Sequence, residues 1–159
     1  GLLNLFYRGH VGSNAEESGM SPGITFISPS KEYAGTYGPQ VTEWPLKQDL
    51  KLLDLNVNNP EARRITFGTA DPKELEEYGI KHPNDLLNNF QFFDELHHGG
   101  EAESALGLFP GKFAKDIVKA FGYEGVKLGP DTTWIIGKPS EYVPEGAYSS
   151  LSDLLRKSR

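Results

Sequence analysis

The chain has 159 residues, enough for a domain-sized core without disulfides or metals as staples. Eighteen glycines, eleven prolines and eighteen aromatic residues describe a turn-rich globular chain of short elements, neither a helical bundle nor a disordered tail. A net charge of −6, with no basic run longer than Arg63-Arg64, argues against nucleic acid as a partner, and the lack of cysteine excludes disulfides, thiol catalysis and thiolate metal sites.

No apolar run reaches the roughly 20 residues of a membrane-spanning helix, and the first residues lack the basic-then-apolar layout of a signal peptide. A chain made in the cytoplasm, without membrane contact, is the expectation, and a cysteine-free sequence is compatible with a reducing compartment.

In chain order, Leu2 to Arg8 reads as a first strand closed by Gly9, followed by a polar, glycine-bearing loop from His10 to Gly23 of the kind that often covers a ligand. Ile24 to Ser28 is a second strand. Ser28 or Ser30 then caps a short helix with Tyr33, Ala34 and Tyr37 at helical spacing, ended by Gly38-Pro39. Val41 to Leu46 and Leu50 to Leu55 read as two further strands joined near Lys47-Gln48-Asp49.

From Pro60 to Leu96 the pattern is helical with interruptions, as Asp71-Pro72 opens one helix to Tyr78 and Pro83 opens another to Leu96. His97-His98-Gly99-Gly100 reads as a turn. Pro110 to Phe121 is amphipathic, with Phe113, Ile117, Ala120 and Phe121 expected on the buried face and Gly122 as its stop. Tyr123 to Leu128 and Thr132 to Ile136 then form two strands about the turn Gly129-Pro130-Asp131, a terminal hairpin, and Ser149 to Lys157 closes the chain as a short helix. The plan is α+β, with a mostly antiparallel sheet system. No Rossmann fingerprint or Walker loop is present.

Chemistry concentrates near the start. An arginine at the end of an aromatic-rich strand, a serine ending the next strand and a Tyr-x-x-x-Tyr helix bring together a cation, a hydroxyl and aromatic faces, a set suited to an anionic, ring-bearing ligand. Each residue also has a plainer account. Arg8 can be a surface or salt-bridged residue, Ser28 a helix cap, Tyr33 and Tyr37 core or rim, and Asp131 a turn residue. His97-His98 beside Asp94 and Glu95 invites a metal, yet adjacent histidines point to different sides and no third distant ligand accompanies them.

The order of a Tyr-Arg-Gly strand, an aromatic-x-Ser strand, an Ala-x-x-Tyr helix, strands ending in Leu-Asp-Leu, then Gly-Tyr-acidic-Gly-Val and a last strand resembles the ADP-ribosyltransferase family, closest to its small bacterial and phage-type members. The resemblance spans Leu3 to about Leu55 and Phe113 to Ile136. It implies an α+β fold of that type, a split antiparallel β-sandwich with flanking helices. It further implies one domain over 1–159, in which 60–111 is a helical insertion of unassigned role. The implied activity is mono-ADP-ribosyl transfer from NAD, as co-substrate, to a protein acceptor of a host or competitor cell, by an effector or toxin delivered there.

By the same resemblance Arg8 binds the NAD phosphates, Gly9 lies where the backbone passes nicotinamide, Ser28 steadies the site, and Tyr33 and Tyr37 border the nicotinamide ring. The His10 ring can border the pocket, and a loop histidine is its plainer account. The chain departs from the family at the glutamate of the last strand, where it reads Asp131-Thr132-Thr133-Trp134. If Thr133 takes that place, Asp131 lies on the same face of the strand, two residues away, and Glu124 is the second candidate acid. A catalytically silent relative that binds NAD or a partner protein is the alternative, and a metal-dependent hydrolase using His97 and His98 is a third.

Overall fold

A computed structural model describes residues 4–12, 23–86, 95–96 and 107–146. The fold is mixed α+β, as expected, and the chain divides into two compact units. The first joins Gly1–Leu50 to Asp131–Arg159, and the second is Lys51–Pro130, within which the expected insertion at 60–111 lies.

In the first unit, β1 (Asn4–His10) alternates in burial, with Phe6, Arg8 and His10 inward and Tyr7 and Gly9 less covered. It pairs antiparallel with β3 (Gln40–Leu46), setting Phe6 opposite Trp44, Tyr7 opposite Glu43 and Arg8 opposite Thr42. β2 (Ile24–Ile27) pairs antiparallel with β6 (Thr133–Ile136), from Ile24 opposite Ile136 to Ile27 opposite Thr133. Between β2 and β3 in the chain lies α1 (Lys31–Ala34), one turn long. Ile24, Ile27, Trp44, Leu46, Trp134 and Ile135 are the most buried large apolar residues of these strands.

A 3₁₀ turn at Pro139–Tyr142, not foreseen from the sequence, ties the ends of β3 and β6 together. The Lys47 N–H donates to the Tyr142 carbonyl at 2.8 Å, the Tyr142 hydroxyl donates to the Ile136 carbonyl, and the Lys47 ammonium lies 5.8 Å from the Tyr142 ring centre. Its signal was legible: Pro139 at the first position and Glu141 reaching back to the Lys138 N–H make a capping pattern.

In the second unit, β4 (Leu52–Asp54) and β5 (Gly125–Lys127) pair in parallel, so the antiparallel expectation fails for this ladder. The physical reason is the connection. Seventy residues of mainly helical pattern separate the two strands, and such a crossover returns the chain in the same direction, which a tight turn cannot do.

The crossover carries α2 (Pro60–Thr69), α3 (Pro72–Glu77), a 3₁₀ turn at Pro83–Asp85 and α4 (Ala114–Ala120). Asn59 and Asp71 cap α2 and α3, accepting from the Ala62 and Lys73 N–H groups at 3.0 Å, each with proline next in the chain. On α4 the buried residues are Ala114, Ile117 and Val118, followed by Phe121, while Phe113 and Ala120 are exposed. The expected face is therefore rotated. Phe113 stands at the N-cap with Lys115 over its ring at 5.8 Å, outside the helical period. The expected helix at Ser149 to Lys157, the loop core at 13–22 and most of the helix opened by Pro83 lie outside the described residues.

Candidate functional site

Arg8 is the first inward residue past the point where β1 touches β2. That junction is a two-way backbone pair: the Tyr7 N–H donates to the Ser28 carbonyl at 2.7 Å and the Ser28 N–H to the Tyr7 carbonyl at 2.9 Å. Strand alternation sends Arg8 to the same side as Phe6 and His10, and it is only 8% exposed, which removes the surface-residue account. A guanidinium taken from water needs partners, and Arg8 Nη1 donates to the Phe26 carbonyl at 3.1 Å. This bond spans from β1 to β2 and fixes where the cation lies.

Ser28 is not the helix cap but makes the turn that precedes it. It is 2% exposed, and its hydroxyl accepts from the Ser30 N–H at 3.0 Å, an ST-turn that bends the chain out of β2. The helix cap proper is Ser30, whose hydroxyl accepts from the Tyr33 N–H at 3.1 Å. The bend delivers α1 onto β1. A Cβ built on Gly9 would overlap the Ala34 carbonyl oxygen, and one on Gly38 would overlap the His10 backbone. Gly9 is thus accounted for by the passage of α1, a packing reason distinct from the expected close approach of a ligand.

Both ring nitrogens of His10 are occupied. Nδ1 lies 3.0 Å from the Gly12 carbonyl, which can only accept, so Nδ1 carries a proton; Nε2 lies 2.6 Å from the Thr42 hydroxyl. His10 therefore pins the start of the following segment to β3, leaving only ring carbons to border a pocket.

Tyr33 and Tyr37 meet as expected from their spacing, with phenol oxygens 3.0 Å apart and rings edge to face at 5.5 Å. Thr132, just before β6, donates to the Tyr33 phenol oxygen at 3.0 Å. Thr132 was not foreseen as a site residue, since it lies 99 positions from Tyr33 and nothing local signals the contact. The hydrogen bond from Thr132, then that from Tyr37, lowers the Tyr33 pKa, with the Asp131 charge acting against them; burial, then Tyr33, raises that of Tyr37. Asp131 is therefore in electrostatic reach of Tyr33. One unit holds Arg8, Ser28, both tyrosines, Thr132 and Asp131.

Glu124 belongs to the second unit. Its Oε1 accepts from the Lys51 N–H at 3.1 Å while its own N–H donates to the Lys51 carbonyl at 2.6 Å, which seats it on the backbone leading into β4. A largely apolar cleft of about 320 Å³ in that unit is lined by Phe67, Pro72, Leu75, Glu76, Gly79, Ile80 and Lys81, none of them an expected site residue. His97 and His98 lie outside the described residues, among which no three metal-binding side chains converge. No helix among the described residues is long and apolar enough to cross a membrane.

Taken singly, the Arg8 guanidinium can bind an anion, the Tyr33, Tyr37 and Thr132 hydroxyls can donate to polar ring substituents, and the Asp131 carboxylate can face a developing positive charge. Compared with protein-family models, with curated proteins and with solved structures, the chain finds no match in any of the three.

Proposed function

We propose that the chain is a mono-ADP-ribosyltransferase: it cleaves NAD and transfers ADP-ribose to a protein acceptor, as an effector or toxin made in the cytoplasm and delivered into another cell. The observation that carries this reading is the buried Arg8, tied by its Nη1 to the Phe26 carbonyl at 3.1 Å, in the same compact unit as Ser28, the tyrosine pair and Asp131. An ADP-ribosyltransferase-like arrangement of the two antiparallel ladders belongs to the same proposal, and the Tyr7–Ser28 bridge supports it.

Arg8 holds the diphosphate, where low exposure makes its charge count for more than at a surface. Ser28 keeps the β1–β2 junction in register, and Tyr33 and Tyr37 border the nicotinamide. In the reaction the bond from ribose C1′ to the nicotinamide nitrogen breaks, its electron pair leaves with neutral nicotinamide, and an acceptor nucleophile bonds to C1′ and gives up its proton. Positive charge grows on the ribose in between, and the Asp131 carboxylate stabilises it by holding ribose hydroxyls. Glu124 is the less favoured acid, because its Oε1 already accepts from Lys51.

The silent binding module remains the second reading, favoured by Thr133, which is 2% exposed where the family resemblance expects a glutamate. Nicotinamide release and label transfer from NAD into a protein lysate test the pair. Turnover that Arg8→Ala and Asp131→Asn each reduce by 100-fold or so, with Glu124→Gln near wild type, is the expected result. NAD binding without turnover supports the silent module, and the absence of both overturns the transferase and leaves the silent module only as a binder of a partner protein.

A further inference from the structure

β3 is paired on one side and open on the other. The Tyr7 N–H and carbonyl both bond to Ser28, on the β2 side of β1, so Tyr7 faces Glu43 without exchanging backbone bonds with it. Such pairs alternate with bonded ones along an antiparallel ladder. The N–H and carbonyl groups of Val41 and Glu43, and the Pro45 carbonyl, therefore point away from β1. Lys47 keeps to the same alternation, and its outward N–H is taken by the Tyr142 carbonyl at 2.8 Å. Pro45 falls on the side where a missing N–H breaks no ladder bond. Among the described residues no strand pairs with this side, since β1 and β3 make a two-stranded sheet. The outer face of the ladder adds side chains to the open edge. Glu43 is exposed there, its Oε1 accepting from the Tyr7 hydroxyl at 3.3 Å, and Leu5, opposite Pro45, is 47% exposed.

We propose that a protein partner docks here by adding a strand: an extended segment antiparallel to β3, with a lysine or arginine facing Glu43 and, two residues before it, an apolar side chain against Leu5 and Pro45. Backbone groups of Val41 and Glu43 supply the bonds, and the outer face selects the side chains. Charge decides the occupant. A second copy would bring the same Glu43 carboxylate and the same net charge of −6 to the edge, whereas a basic segment complements both. The docking itself requires no NAD. That the partner is the acceptor rests on the transferase reading, under which the added strand lies beside the strand that pairs Thr42 with Arg8.

Fluorescence anisotropy of a labelled peptide with Leu-Thr-Lys-Thr-Val at its centre, titrated with the full chain without NAD, tests the proposal. N-methylation of the lysine amide, which faces β3, is expected to weaken binding by about tenfold, and N-methylation of the threonine amide after it, which faces away, by no more than about twofold. Replacing the lysine by glutamate weakens binding by about five- to tenfold, and Glu43→Lys restores that peptide. Val41→Pro removes an outward N–H that β1 does not use and costs about three- to tenfold, while Val41→Thr, which keeps the N–H, stays within about twofold. No saturable binding up to about 1 mM, equal losses from the two N-methylations, or Val41→Pro behaving as Val41→Thr overturns the docking edge. A wild-type dimer in sedimentation that Val41→Pro dissociates assigns the edge to a second copy and overturns the proposal as well. NAD turnover without peptide binding overturns this inference alone, whereas peptide binding without NAD turnover upholds the docking and removes the transferase reading.

Discussion

Gly9 shows how a residue that looks functional in the sequence can be demanded by packing. The Ala34 carbonyl occupies the space a Cβ would need, and the obstacle is backbone, which cannot swing aside as a side chain would. Gly9→Ala is therefore expected to destabilise the fold by about 3 kcal/mol, read as a lowered denaturant midpoint at unchanged slope. A loss under about 0.5 kcal/mol would show that the Ala34 carbonyl does not press on Gly9 in solution. Asp85 makes the corresponding case for charge. Its Oδ2 accepts from the Lys81 and His82 N–H groups, both at 2.9 Å, and these bonds, Lys81 first, hold its carboxyl below the ordinary 3.8. A depressed carboxyl pKa adds stability that is present above the unfolded value and is lost as pH falls through the folded one. Asp85→Asn should then flatten the stability profile below about pH 4 while changing its slope little near neutrality, which acid unfolding of the two proteins compares directly.

Helix starts were legible in the sequence because their determinants are local. Asn59-Pro60 and Asp71-Pro72 place cap and first turn side by side, and the structure uses both. Asn59 does more than cap, since its Nδ2 donates to the Tyr123 hydroxyl at 3.0 Å and so fastens the start of α2 to the chain entering β5. Asn59→Asp keeps the acceptor for the Ala62 N–H but loses that donor, whereas Asn59→Ala loses both. The expected ranking is a cost of about 1 kcal/mol for Asp and about 2 kcal/mol for Ala, from thermal or denaturant unfolding, and equal costs would mean the Tyr123 bond contributes nothing. What the sequence could not convey was partnership. The parallel pairing of Leu53 with Val126 and the bond from Thr132 to Tyr33 depend on chain segments 70 and more residues apart, where neither periodicity nor turn chemistry reaches. The buried face of α4 differs from the expected one because Phe113 belongs to the cap and lies outside the helical period.

At the scale of the molecule, the two units divide the candidate chemistry unequally. Arg8, Gly9, His10, Ser28, Tyr33, Tyr37 and Asp131 belong to the first, and Glu124 belongs to the second. The two acids named from the sequence thus sit in different units, which makes the choice between them readable without any variant. Hydrogen exchange of the full chain with and without NAD should show added protection at the amides of β1, at 26–37 and at 131–134. The Lys51–Glu124 pair and α2 should exchange as before. Bound ligand slows exchange by raising the free energy of openings that expose its contacts, so protection maps the unit that holds it. Protection appearing at Lys51 and Glu124 together with β1 would instead make Glu124 a participant, since its N–H is bonded to Lys51 whether or not ligand is present and gains only if the ligand stabilises that junction. Protection confined to Lys51–Pro130 would remove Arg8 from the ligand altogether and shift attention to the apolar cleft beside Leu75 and Ile80.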